Sequence, residues 1–354
     1  MIGLQHLLKA MIEKGASDLH LTAFAAPILR INGELVKVKM DSLTPDDIKR
    51  LCYAVLTDKQ KHELEEKKEL DFSFGLKGLS RYRVSLFYQR GFLAGAFRRI
   101  PSMVYSFEQL GLPQIIKDLT EETAGIVIVT GPTGSGKSTT LAAMVDEINN
   151  CQCKHVLTIE DPVEFLHEHK KSIINQRELG GDTYSYKNAL RHALRQDPDV
   201  VLIGEMRDFE TIEAALTIAE TGHLVLSTLH TNSAIQTINR LIDVFPNEQQ
   251  TQVRVKLSFV LLGIISQKLI PRVDNKGLVL ALEVLIPTLA VRSLIRETKI
   301  HQIYSLMQLG QGSHGMITLN QSLFNLVQAG YLSPKVAVKH TTEPAELKKL
   351  LRGS

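Results

Sequence analysis

An α/β core preceded by a smaller α+β region is the fold class this sequence predicts, and three observations predict it. The run Gly125-Ile126-Val127-Ile128-Val129-Thr130 reads as a buried strand that feeds the turn Gly131-Pro132-Thr133-Gly134-Ser135-Gly136-Lys137-Ser138, and a helix follows over Thr139 to Asn149. Further apolar strand patterns, Lys154 to Ile159, Val200 to Ile203 and Leu224 to Thr228, recur at spacings that leave room for helices between them. Before residue 100 the pattern changes to short strands that alternate apolar and polar positions.

Taken in order, apolar spacing predicts a helix over Ile2 to Ile12 and, after Gly15-Ala16-Ser17, a short strand at Leu19 to Leu21. Pro27 to Ile31 and Glu34 to Val38 flank Asn32-Gly33, a pair suited to a two-residue hairpin turn because both positions tolerate positive φ. Thr44, followed three residues later by Asp47, predicts a helix N-terminus and a helix running towards Val55. Lys59 to Lys68 reads as a charged, solvated helix, and Asp71 to Leu76, Arg81 to Gln89 and Phe92 to Arg99 read as antiparallel strands. The segments Ile100-Pro101-Ser102 and Leu110-Gly111-Leu112-Pro113 bracket a linker.

Composition sets limits on function. The 354 residues exceed one ordinary core and predict about two domains. Against 41 Lys and Arg stand 38 Asp and Glu, a net +3, too mild a surplus for nucleic acid as the main partner. Met1 to Lys14 has the pattern of an amphipathic helix rather than a signal peptide, and the longest apolar stretch, Phe259 to Ile265, is far too short to span a bilayer. Cys52, Cys151 and Cys153 offer no disulfide framework and no CxxC pair, in keeping with a reducing cytosol.

The turn at 131–138 carries the chemistry. A strand delivering GxxxxGK[ST] into a helix gathers backbone N–H groups at the positive end of the helix dipole, where nucleotide phosphates bind. Lys137 would reach the β- and γ-phosphates and the Ser138 hydroxyl would ligate Mg2+, so Gly131, Pro132, Thr133, Gly134, Ser135, Gly136, Lys137, Ser138 and Thr139 form the expected nucleotide site. The next strand ends in Glu160-Asp161-Pro162-Val163-Glu164, placing three carboxylates at a strand's carboxyl end, where ligands bind in open α/β sheets. One would polarise water and another would hold magnesium through water, and the same acids would serve equally as a helix start. Val200 to Ile203 resembles a Walker B strand, but Gly204 stands where Asp is usual, which leaves Glu205 as the nearest carboxylate; Asp199 lies at the wrong end. His223 and His230 are seven residues apart, about 23 Å on an extended chain, which excludes a shared metal. His230, at the carboxyl end, is placed to sense a γ-phosphate, whereas His223 needs another role. The arginines from Arg81 and Arg83 to Arg98 and Arg99 would suit phosphate clamping or an exposed strand face.

Together these features resemble the secretion ATPases and, within them, the PilT-type retraction motors of type IV pili. Ala16-Ser17-Asp18-Leu19-His20-Leu21 with Pro27, Arg30 and Gly33 resembles that family's N-terminal PAS-like domain. The P-loop, an Asp box over Thr158 to Phe165, the strand ending at Glu205 and a His box over Thr221 to Thr231 follow in order. Leu289 to Glu297 is similar to the retraction family's AIRNLIRE motif, with Val291 and Ser293 replacing Ile and Asn. Read as a helix, it would turn Ala290, Val291, Leu294 and Ile295 inward and Arg292 and Arg296 outward.

The resemblance implies a PAS-like α+β domain at 1–100, a linker at 101–113, and a RecA-like ATPase domain with a C-terminal helical region at 114–354. It implies ATP and Mg2+ as cofactors, with Glu164 as general base and Glu205 supporting the metal and its water. Arg83 and Arg98, with Arg81 as a third candidate, would act on nucleotide from the N-terminal domain. It further implies a cytoplasmic homohexamer, peripheral to the inner membrane, that works on a platform protein to power pilus retraction and twitching motility, with a paralogous retraction ATPase as a further candidate partner and no stable nucleic-acid binding. An accessory PilU-type ATPase is the nearest rival, and a nucleotide-gated assembly module without force generation is the rival of a different class.

Overall fold

The computed structural model describes residues 3–31, 33–76, 79–100, 103–274, 277–311 and 314–352. The chain divides into two compact units, Met1–Met103 with Glu164–Leu166, and Val104–Val163 with His167–Ser354.

The first unit is a six-stranded sheet with helices. Its strands are β1 (Asp18–Leu21), β2 (Ile28–Ile31), β3 (Glu34–Lys37), β4 (Glu69–Leu76), β5 (Ser80–Gln89) and β6 (Phe92–Ile100), in the order β3-β2-β1-β6-β5-β4 with every pairing antiparallel. Ile31 pairs with Glu34, which leaves Gly33 (φ 88°) in the turn; Asn32 lies outside the described residues. Alternation along β5 buries Tyr82, Val84 and Leu86 and exposes Arg83. Those side chains share a core with Leu7, Leu8 and Met11 of helix Leu4–Glu13, Ile48 and Leu51 of helix Pro45–Tyr53, and Leu64 of helix Asp58–Lys67. The expected capping box is present, since the Thr44 hydroxyl accepts from Asp47 N and the Asp47 carboxylate accepts from Thr44 N. Such caps are worth about 1 kcal/mol each.

The second unit is built on a seven-stranded sheet: β7 (Gly125–Thr130), β8 (His155–Glu160), β9 (Ile173–Glu178), β10 (Val200–Ile203), β11 (Leu224–Leu229), β12 (Leu261–Pro271) and β13 (Leu278–Leu285), in the order β13-β12-β7-β11-β10-β8-β9. All neighbours are parallel except the edge strand β13, which runs antiparallel to β12. A parallel sheet covered on both faces needs strands apolar on both sides. Accordingly Ile126 and Ile128 enter one core with Val201, Ile203 and Val225, and Val127 and Val129 enter another with Val200, Leu202 and Leu226. A third cluster seats helices Leu319–Gln328, Pro334–His340 and Pro344–Arg352 on Ile270 and Ala281, through Leu323, Ala337 and Leu347.

Candidate active site

Register brings the carboxyl ends of four strands level. Thr130 lies opposite Leu229, and Ile203 lies opposite Ser227 on one side and Ile159 on the other. The residues that follow these strands therefore converge: the 131–138 loop after β7, His230 after β11, Gly204 and Glu205 after β10, with Glu160 at the end of β8.

The loop wraps the N-terminus of helix Lys137–Cys151, whose opening N–H groups have no intrahelical acceptors. Gly131 at its start has φ 144°, and a Cβ there would meet the Gln267 carbonyl at 2.4 Å and Ser135 Oγ at 2.5 Å, so only glycine fits. Lys137 is buried and turned back on its own loop, donating to the carbonyls of Gly131 (2.9 Å) and Pro132 (3.1 Å). Burial holds the amine below its ordinary pKa, opposed by the charge of Glu205. Ser135 Oγ is buried with no hydrogen-bond partner among the described residues, and Ser138 is exposed at the mouth of the loop. Free N–H groups, an ammonium and two hydroxyls make a donor set that fits a polyphosphate and its hard cation.

Glu205 sits between Arg207 and His230. Its Oε2 pairs with Arg207 Nη2 at 2.7 Å and its Oε1 lies 3.4 Å from His230 Nε2. Burial pushes its carboxyl up, but the Arg207 hydrogen bond and the charges of His230 and Arg207 outweigh it and hold it below the usual range. Gly204 has a steric cause: a Cβ would lie 3.0 Å from Tyr186 Oη and 3.3 Å from Glu160 Cα. The close approach of β8 and Tyr186 thus crowds any side chain at 204 and favours glycine there, with the acid on the next residue. Burial, followed by the charges of Asp161, Glu160 and Glu205, pushes the Tyr186 phenol well above its ordinary value.

Threonines knit the strand ends. Thr130 Oγ1 donates to the Thr231 carbonyl (2.7 Å) and accepts from Thr231 N (3.0 Å), while Thr231 Oγ1 contacts Thr237 Oγ1 at 2.7 Å in helix Ala234–Asp243. Glu160 is buried and accepts from Thr158 Oγ1 at 2.7 Å.

Lys137, Ser138, Glu205 and His230 are thus brought together. Glu164 is exposed on the segment after β8 and is counted with the first unit. Arg83 and Arg98 face each other across β5 and β6 in that unit. Arg98 Nε is tied to Asp18 Oδ1 at 2.7 Å, whereas Arg83 has no side-chain partner among the described residues; Arg81 donates to Ser73 Oγ at 2.6 Å. His223 Nδ1 lies 3.1 Å from both Thr221 Oγ1 and the Ile218 carbonyl, a local role at the amino end of β11. The sequence reading missed Arg207, Tyr186 and the threonines; only their adjacency to strand ends would have pointed to them.

One expectation is corrected. In helix Leu289–Arg296 Val291 and Ile295 are buried, but Ala290 is exposed and Arg292 does not point outward. It lies over the C-terminus of helix Asn247–Val260, donating to the carbonyls of Ser258, Phe259 (2.7 Å), Leu261 (3.0 Å) and Pro287 (3.0 Å). Bare helix-end carbonyls attract a forked cation more strongly than solvent competes for it.

Fold and site define a RecA-like α/β chain of the P-loop class. The profile of the type II/IV secretion system protein family matches residues 2–304, and the chain belongs to that family. It is 50% identical over 327 residues to the type IV pilus retractation ATPase PilT of Pseudomonas aeruginosa, covering 92% of this chain and 94% of that one. The type IV pilus ATPase PilU of the same species is 39% identical, with 98% and 91% covered. The crystal structure of the pilus retraction motor PilT with bound ADP superposes with a TM-score of 0.93 at 50% identity, over 99% of this chain and 100% of that chain.

Proposed function

We propose that this chain is the ATPase that powers type IV pilus retraction. The observation that carries the reading is its 50% identity to PilT across nearly the whole of both chains, against 39% for PilU. The nucleotide site is assigned to 131–139: the loop's N–H groups hold the phosphates, and Lys137 leaves the carbonyls of Gly131 and Pro132 to reach the β- and γ-phosphates. Ser138 directly, and Glu205 through water, would hold Mg2+, which when bound supplies charge neutralisation at the phosphates. Glu164 takes the proton of the attacking water. His230, beside Glu205, registers the γ-phosphate and passes its loss through Thr231 and Thr237 to helix Ala234–Asp243. Arg83 and Arg98 are assigned to the charge of the transition state; Arg83 is the first to test, because Arg98 must first leave Asp18. Assembly as a homohexamer on the cytoplasmic face of the inner membrane, docked to a platform protein, completes the proposal. Among the described residues no helix is long and apolar enough to cross a membrane.

Labelled pili imaged in the native host test this with a Glu205→Ala copy replacing the gene. Pili that extend and never shorten are expected. Absent pili would assign the chain to assembly instead, and normal dynamics would overturn the proposal. Steady ATP turnover by the purified wild-type chain separates a motor from a nucleotide-gated module.

A further inference from the structure

Helices Pro334–His340 and Pro344–Arg352 form a hairpin with two different faces. Ala337 and Leu347 point into the cluster that includes Leu323. On another side the two helices border an open hollow of ≈460 Å3 with an aliphatic floor of Pro334, Val338 and Leu351. Its rim is wholly cationic. Lys335 and Lys339 stand one turn apart on one helix, and Lys348 and Arg352 stand one turn apart on the other. None of these four has a hydrogen-bonding or acidic partner among the described residues. The nearby Glu346 is committed elsewhere, accepting from Tyr304 (2.7 Å), Gln308 (2.9 Å) and Asn320 (2.9 Å).

Four like charges around an apolar hollow repel one another, and an occupant that is apolar at its centre and acidic on both flanks relieves both problems at once. Nucleic acid gains nothing from a floor with neither an aromatic platform nor a polar reader. Two parallel rows at i, i+4 spacing instead match the flanks of a single helix. We propose that this groove docks an amphipathic helix of a partner protein, with aliphatic side chains against Val338 and Leu351 and Asp or Glu against Lys335, Lys339, Lys348 and Arg352.

The test uses the full chain and a fluorescein-labelled helical peptide of about 18 residues, with Leu along one stripe and Glu on both flanks. Saturable binding by anisotropy is expected. It should weaken about 10-fold or more in Lys339→Glu/Lys348→Glu and on raising salt from about 0.15 to about 0.5 M. Val338→Asp should weaken it through the floor instead, and a peptide with Lys in place of Glu should not bind. Both lysines are exposed, so their reversal leaves the fold intact. No saturable binding, or equal affinity for the double variant, overturns the proposal. So does capture by phosphatidylglycerol-containing vesicles that depends on Lys339 and Lys348 in the absence of peptide binding.

Discussion

Burial holds the His167 imidazole down at about 4, with the charges of Asp146 and Lys170 acting in opposite senses, and its Nδ1 is buried with no partner among the described residues. In the unfolded chain the ring takes up its proton near 6.5, so between pH 6.5 and 4 the unfolded state binds more protons and stability falls as pH falls. The penalty is absent above pH 6.5 and complete by pH 4, where it reaches about 3 kcal/mol, at roughly 1.4 kcal/mol per pH unit. Urea titrations across that window should show the slope in the wild-type chain and its loss in His167→Leu; equal slopes would show that the ring is hydrated in the folded state. The legibility of the site has the same dependence on surroundings. Lys137, Ser138, Glu205 and His230 were readable because each follows an apolar run whose carboxyl end the sequence locates. Arg207 as the partner of Glu205, and Thr130 meeting Thr231 from 101 positions away, exist only once the strands are in register.

At the scale of elements, Arg292 joins three of them. Its guanidinium closes the end of helix Asn247–Val260, holds the start of β12 through the Leu261 carbonyl and is itself carried by helix Leu289–Arg296. Arg292→Ala should lower the unfolding free energy by about 2 to 3 kcal/mol, since half-buried carbonyls lose charged donors. Arg296→Ala, which removes an exposed cation 5.9 Å from the Phe259 ring, should cost under about 1 kcal/mol. Equal costs would mean that solvent replaces the cap. The same junction explains an element that the sequence concealed. Helix Asn247–Val260 passes into β12 with no Gly or Pro between them, Leu261 turning to φ −67° and ψ 123°, so Phe259 to Ile265 read as one apolar run rather than as a helix end and a strand start. The edge strand β9 was missed because Ile173 and Ile174 are its only apolar residues and only Ile174 and Glu178 are buried. The hairpin β2–β3 and the Thr44 cap were legible because their turn and capping chemistry is local.

For the whole molecule, each of the two units has its own hydrophobic core, and the residues assigned to phosphate lie in the second. A ligand that binds only the folded P-loop stabilises that unit alone, by RT ln(1 + [L]/Kd), about 2.7 kcal/mol at one hundred times Kd. For a unit of this size that is roughly 5 to 10 °C in midpoint. Calorimetry with ADP and magnesium should therefore raise one transition by this amount and leave the other in place. Lys137→Ala, which removes the ammonium that holds the Gly131 and Pro132 carbonyls in the free loop and is assigned to the phosphates in the bound one, should abolish the shift. A wild-type chain that ADP does not move would sink the nucleotide assignment itself. A single transition that ADP moves as a whole would keep the assignment and show instead that the units unfold as one, so that nucleotide at the P-loop also governs the stability of the sheet that carries Arg83 and Arg98.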